Sequence, residues 1–363
     1  MKIQAAAPGR ICLFGEHQDY LGFPVITGAI DRKIVISGET RVAKRVEIEL
    51  PDMGVREEFD LPPERYVRSR DYLRSVVRVL ARRSLLGARG VRAIVRGNIP
   101  IQAGTSSSSA LVVAWIGFLL AASGPAGRAM TEDPGAVAEL AFAAEVSEFG
   151  ESGGRMDHYA SACGGVVYME SAPSIRWEPL STDLGDFVLG DSLEPKNTLK
   201  TLRRLNHGQS EGLRQLARAA GIKNPADLVP GVAATFAGSV DRRFREYALG
   251  AVENHWITGK ARELLGGVHA DSRGDLAALM NRLQEILRDM LKISTPRLDA
   301  MIEASLDAGA LAAKINGSGE GGCMFAWCPG KKEAVMEAIN RQGGKAMAIG
   351  IGPGLVVDAG DEE

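Results

Sequence analysis

The chain of 363 residues holds only four cysteines, at positions 12, 163, 323 and 328, and no two of them form a C-x-x-C pair. They lie mostly in apolar surroundings, which predicts reduced, buried thiols of a cytoplasmic protein and no disulfide framework. No G-x-x-x-x-G-K-[ST] loop occurs, since Gly259-Lys260 and Gly344-Lys345 are both followed by alanine. A nucleotide, if one is bound, is held in another way. No apolar run reaches bilayer length; the longest, LVVAWIGFLLAA (111–122), stops at Ser-Gly-Pro and reads as a buried helix. The opening MKIQAAAPGR lacks the apolar core of a signal peptide. Strong charge of one sign is also missing. Net charge is −2 and the pI about 6.3, so no global field favours nucleic acid or an anionic membrane, and neither is expected as a partner. The arginine-rich stretch RSRDYLRSVVRVLARR (68–83) is a local exception. Its Leu73, Val76, Val77 and Leu80 have helical spacing, which predicts an amphipathic helix with a solvated basic face.

What is present is ordinary in bulk, with 45% hydrophobic and 24% charged residues. The length exceeds what one core usually fills, so two domains are expected. The first third alternates β-like runs (RKIVISGET, RVEIEL, VRAIVRGNI) with turns. Helices follow the serine tract at 106–109 and the Asp133-Pro134 pair, an N-cap before the preferred first-turn residue. From about 197 to 309 the apolar spacing is almost wholly helical. The last fifty residues read strand (AAKIN), glycine turn, strand (GCMFAW), helix (KKEAVMEAINRQ) and strand (AMAIGI). Two α+β domains, 1–190 and 191–363, fit this pattern.

Three stretches carry chemistry. In GRICLFGEHQDYLG (9–22), an apolar strand runs straight into Glu16, His17, Asp19 and Tyr20, between Gly15 and Gly22. In GNIPIQAGTSSSSALVVAW (97–115), a loop with Gly104 leads through four serines into the apolar helix. Backbone N–H groups at such a helix start make a ready anion site, and serine hydroxyls there can bond phosphate or complete a magnesium shell. In KINGSGEGGCMFAW (314–327), Gly317, Gly319 and Gly322 match G-x-G-x-x-G literally, but the dinucleotide fingerprint requires a helix next, and CMFAW reads as a strand. The loop therefore reads as a tight turn whose glycines let backbone approach a partner. Between these lies GESGGRMDHYASACGG (150–165), with Asp157 in a glycine-rich turn and Glu145 twelve residues earlier on a helix. A carboxylate for magnesium and another for a substrate hydroxyl are the minimum equipment for phosphoryl transfer.

Together these stretches resemble the GHMP kinase superfamily, the group of galactokinase, homoserine kinase, mevalonate kinase and phosphomevalonate kinase. PGRICLFGEHQDY looks like the galactokinase signature, PIQAGTSSSSA is similar to the phosphate loop P-x-x-x-G-L-S-S-S-A, and GSGEGGC resembles the third motif. STPRLDAMIEAS (294–305) is similar to the galactokinase stretch ahead of that motif. The resemblance implies an N-terminal α+β domain with a left-handed βαβ unit and a C-terminal ferredoxin-like α+β domain. It implies Asp157 as the catalytic Asp and Arg10 beside it at the phosphoryl group. It implies Glu145 and one of Ser107 and Ser108 as magnesium ligands, and Gly104, Thr105, Ser106, Ser107, Ser108 and Ser109 as the ATP loop. Glu16, His17 and Asp19 fall on residues that contact sugar hydroxyls, joined there by Asp157. Gly317, Ser318, Gly319, Gly321 and Gly322 form the third-motif loop.

The resemblance also discriminates. Mevalonate-kinase-like members follow Gly-Glu-His with apolar residues, whereas Gln18, Asp19 and Tyr20 keep this segment polar, which favours a sugar. Departures fall at Thr105 (usually Leu), Ser109 (Ala), His158 (Gln in galactokinase), Asn316 (Thr or Ser) and Glu320 (Phe or Gly), the last expected to point to water rather than to interact with magnesium. The reading is an ATP- and magnesium-dependent kinase of a sugar hydroxyl, by resemblance the anomeric C1 hydroxyl, in a monomer or homodimer. A heptose-phosphate or other unusual sugar kinase is the alternative, and a non-catalytic sugar and ATP sensor the alternative of another class.

Overall fold

The computed structural model describes residues 1–100, 104–196, 198–266 and 272–360. Residues 101–103 of the expected phosphate loop, and 197 and 267–271 of the expected helical region, lie outside the described residues. The chain opens with β1 (Lys2–Phe14), β2 (Val25–Arg41), β3 (Arg45–Leu50) and β4 (Val55–Asp60). Next come α1 (Tyr72–Arg82), β5 (Gly90–Gly97), α2 (Ser107–Ala122), α3 (Pro125–Met130), α4 (Pro134–Glu145) and α5 (Met156–Cys163). After β6 (Val166–Glu170), β7 (Arg176–Leu180) and β8 (Phe187–Asp191), the chain turns helical. It runs through α6 (Thr198–Ala220), α7 (Pro230–Phe236), α8 (Arg242–Leu265), α9 (Arg273–Glu285) and α10 (Pro296–Asp307). It closes with β9 (Ala312–Asn316), β10 (Cys323–Trp327), α11 (Lys332–Arg341), β11 (Lys345–Ile349) and β12 (Val356–Ala359).

Two sheets organise these elements. The larger runs β12-β1-β2-β5-β3-β4, with β6 on β2 and β7 on β6; β3 and β5 pair in parallel. The smaller is antiparallel, in the order β11-β8-β10-β9. Phe187–Asp191 thus belongs to the second sheet, and Val356–Ala359 returns to pair with β1 in the first. α2 is buried on nearly every side, as its apolar sequence requires: Val112, Val113, Trp115, Ile116, Phe118 and Leu119 all lie in the first core. α4 starts where the Asp-Pro pair predicts, with the Asp133 carboxylate accepting from Ala136 N at 3.0 Å and Pro134 in the first turn. α1 buries its apolar stripe, but its basic face is not wholly solvated. Arg74 is buried against Asp71 and Glu57, the latter at 2.7 Å. The four cysteines are free, three of them buried. Among the described residues no helix is long and apolar enough to cross a membrane.

Candidate active site

A cleft of about 750 Å³ collects the ends of these elements, a size suited to a small-molecule site. At its base stands Arg10 of β1, only 4% exposed. Its Nε donates to Asp157 Oδ1 at 2.8 Å and a terminal nitrogen donates to Gly104 O at 2.5 Å. Asp157 sits in the first turn of α5 rather than in a glycine turn. Burial opposes its ionisation most strongly, but the Arg10 guanidinium, the neighbouring Ser106 hydroxyl and His158 together hold the carboxyl below its usual range.

The polar cluster after β1 is shaped by backbone. Gly15 takes a φ of +85°, and a Cβ there would lie 2.7 Å from Pro24 O. His17 follows in the left-handed region at +60°. His17 is buried, its Nε2 has no partner among the described residues, and burial pushes its pKa down to about 4. Asp19 accepts from Tyr20 N at 3.0 Å and Met156 N at 3.2 Å. Burial, and next the charge of Asp157, raise it to about 6. Glu16, His17 and Asp19 all reach the cleft wall. Glu16 is nevertheless engaged inside the protein: its Oε2 accepts from the fully buried Lys314 Nζ at 3.2 Å and from Gly317 N at 3.1 Å. Gln18 is fully buried and bonds Pro24 O and Thr258, so its polarity serves the turn.

The serine tract enters through Ser106, whose φ of +58° turns the chain into α2. Ser106, Ser107, Ser108 and Ser109 line the cleft with Gly104, and the Ser106 hydroxyl is buried near the Asp157 carboxylate. Backbone N–H groups of the first turn of α2 are available there, as at any helix start. Thr105 is not on the wall; its hydroxyl donates to Pro100 O at 3.3 Å and its carbonyl accepts from Arg10 N. Glu145, at the end of α4, lines the cleft with its Oε2 2.9 Å from His158 Nε2. The other ring nitrogen of His158 is buried with no partner among the described residues, so the ring serves Glu145 through Nε2.

The third-motif loop joins β9 to β10 as a turn between strands, so the dinucleotide fingerprint does not apply. Asn316 accepts from Cys12 N at 2.9 Å and donates to Gly104 O at 3.0 Å, tying all three sequence stretches together. Gly317 and Ser318 reach the cleft. Gly319, Gly321 and Gly322 do not line it; a Cβ on Gly319 would lie 2.6 Å from Ile293 O, and Gly322 N donates to Glu194 O. Glu320 stays 38% exposed, as a carboxylate facing water would, but it is also engaged by the protein. It pairs with Arg204 at 2.8 Å and accepts from Thr201, because its φ of +55° turns it toward α6.

Several further residues, none of them a sequence-predicted site residue, reach the wall. Lys196 is half-buried beside Gly104, and burial together with Arg10 pushes its pKa down. Arg70, Tyr72 and Glu151 flank Glu145, and Ile34, Leu50, Val95, Ile99 and Leu111 make an apolar wall.

A β-strand Arg fixed on an Asp, a serine-led helix start and a second carboxylate around one cleft define a phosphoryl-transfer type of site. The comparisons with known proteins agree. Residues 71–165 match the GHMP kinases N terminal domain, residues 264–345 the GHMP kinases C terminal domain, and residues 2–40 the galactokinase galactose-binding signature. A mevalonate kinase of Methanothermobacter thermautotrophicus is 32% identical over 345 residues, covering 94% of this chain and 95% of the relative. A galactokinase of Pasteurella multocida is 29% identical, covering 92% and 87%. In fold, a Lactococcus lactis galactokinase solved in complex with galactose has a TM-score of 0.81 at 22% identity, covering 98% and 95%. The chain belongs to the GHMP kinase family, whose members are ATP-dependent kinases.

Proposed function

We propose that the protein phosphorylates a sugar hydroxyl from ATP, with the anomeric C1 hydroxyl as the acceptor. The observation that carries this reading is the carboxylate pair at the acceptor end: Asp157 held by Arg10, with Asp19 raised to about 6 by burial and by Asp157. Two acceptors side by side suit a ligand rich in hydroxyl donors and disfavour one that brings its own carboxylate. In this reading Asp157 orients the acceptor hydroxyl and takes its proton, and Arg10 faces the charge that develops on the transferred group. Asp19 and His17 hold neighbouring hydroxyls. The first turn of α2 receives the phosphates and the apolar wall the base of the nucleotide.

Among the described residues no cluster of three or more His, Cys, Asp or Glu is placed to hold a metal, so a cation here would share ligands with phosphate oxygens. Glu145 and the hydroxyl of Ser107 or Ser108 fit that role, all lying on the cleft wall. Magnesium, when bound, would supply neutralisation of phosphate charge.

A second reading, mevalonate as acceptor, is favoured by the 32% identity to the mevalonate kinase. Lys196 on the wall favours an acceptor that already carries phosphate. ADP release from ATP over free aldoses including galactose, a heptose phosphate and mevalonate decides among them. Turnover of a free sugar is expected; turnover of mevalonate or of the sugar phosphate alone overturns the proposal.

A further inference from the structure

Arg70 stands in the left-handed region at a φ of +56°, two residues before the start of α1. The bend is locked: Asp71 is fully buried, accepts from Val67 N at 3.1 Å and pairs with Arg74, while Tyr72 N donates to Arg70 O at 2.8 Å. This aims a long cation at the cleft wall that carries Glu145 and the serine tract. There Arg70 is gripped by Glu151, Nε to Oε1 and a terminal nitrogen to Oε2, each at 2.5 Å. Its side chain stays 39% exposed. Among the described residues, the other cations on the wall are Arg10, Arg96 and Lys196. Arg10 is committed to Asp157 and Gly104, Arg96 lies 3.8 Å from Asp52, and burial lowers the pKa of Lys196. Six carboxylates line the same cleft, so a polyphosphate entering it needs an accessible cation.

Resting on the kinase reading, we infer that Arg70 binds the nucleotide's phosphates and that Glu151 holds it in reserve, to be displaced when the nucleotide arrives. The grip uses the side-on fork of the guanidinium, which reads carboxylate and phosphate alike, so a bidentate phosphate must replace Glu151 there. Arg70 and Glu145 line the same cleft, so both face a polyphosphate bound in it.

Calorimetric binding of ATP, ADP and adenosine to the full chain tests this. Arg70→Ala is expected to weaken ATP and ADP about 10- to 150-fold, the range of a lost charged hydrogen bond, and to leave adenosine unchanged. Arg70→Lys restores only part of the loss, because an ammonium lacks the fork. Glu151→Gln is expected to tighten ATP several-fold. Equal losses for ATP and adenosine in Arg70→Ala, or weaker ATP binding in Glu151→Gln, would make the pair a structural brace and overturn the inference. Unchanged ATP binding in Arg70→Ala, with wild-type turnover intact, overturns it while leaving the kinase reading standing. A wild-type chain that binds no ATP overturns both. If Arg70→Ala fails to fold, Glu151→Gln alone decides the sign.

Discussion

The Asp19 carboxylate occupies the place where Gly154 would carry a side chain: a Cβ built on Gly154 lies 1.7 Å from Asp19 Oδ2. Gly154 precedes α5, so the glycines of GESGGRM serve less as a flexible hinge than as space for an acid from β1's turn. Gly154→Ala is expected to push Asp19 off Met156 N and out of its acceptor position. The KM for the acceptor should rise at least as far as in Asp19→Asn, with the KM for ATP nearly unchanged. Steady-state kinetics on both variants check this, and a normal acceptor KM in Gly154→Ala would deny Asp19 its binding role.

Asp157→Asn keeps the shape of the side chain and removes the charge that Arg10 pairs with. Turnover should fall by about 10²–10⁴, the usual worth of a positioned base or orienting carboxylate. Because Arg10 is buried and would lose its counter-charge, melting temperature should fall as well. Affinity for ATP measured directly should be affected far less than kcat.

The two titrating neighbours give a pH signature. Asp19 is raised from 3.8 to about 6, so the folded protein binds more protons than the unfolded chain across that window, and stability falls as pH rises through it. His17 is lowered from 6.5 to about 4, so the folded protein binds fewer protons, and stability rises with pH through its window. The two slopes oppose each other. Asp19→Asn removes one, so its melting temperature should climb with pH between about 4 and 6.5 more steeply than that of the wild type. Acceptor kcat/KM should fall in the wild type below about pH 6, where Asp19 takes a proton, and this fall should vanish in the variant.

The parts of the site written in consecutive residues are legible in the amino-acid sequence alone. Arg10, Asp157, Glu145 and the serine tract fall on one cleft because each belongs to a short stretch whose residue types have a chemical reason to be together. Helix starts at Asp133 and turns at Gly15 are legible for the same local reason. Lys196, Arg70 and Glu151 are not: Lys196 stands outside any motif, Arg70 reads as part of a basic helical stretch and Glu151 as one residue of a glycine-rich turn, and only the packing of the chain before α6 and of the bend before α1 brings them to the wall. Glu320 misleads in the opposite direction: its loop faces phosphate in the motif, yet a positive φ turns its carboxylate to Arg204. Nor does local sequence show that Val356–Ala359 returns to the edge of β1, because strand pairing across the whole chain leaves no mark in either strand.

Glu16 poses the sharpest choice, because a buried tie and a sugar contact call for the same residue type. Its partner Lys314 is fully buried and also donates to Cys12 O at 2.9 Å and Ile315 O at 2.7 Å, so the ammonium is satisfied by protein alone. Removing one member of such a pair leaves an uncompensated buried charge, which costs about 3–5 kcal/mol, whereas replacing both members is often close to neutral. Glu16→Gln and Lys314→Met should therefore each lower the denaturation midpoint strongly, and the double variant should recover most of the loss. The same bond set links β1's turn to β9 and Gly317, so the single variants should also loosen the loop that carries Ser318 onto the cleft wall. If Glu16 acted chiefly on the acceptor, Glu16→Gln would instead raise acceptor KM at an unchanged midpoint, and Lys314→Met would not be rescued by it. Midpoint and KM measured on the three variants separate these outcomes, and recovery of stability in the double variant marks Glu16 as the brace that holds the acceptor turn against the third-motif loop.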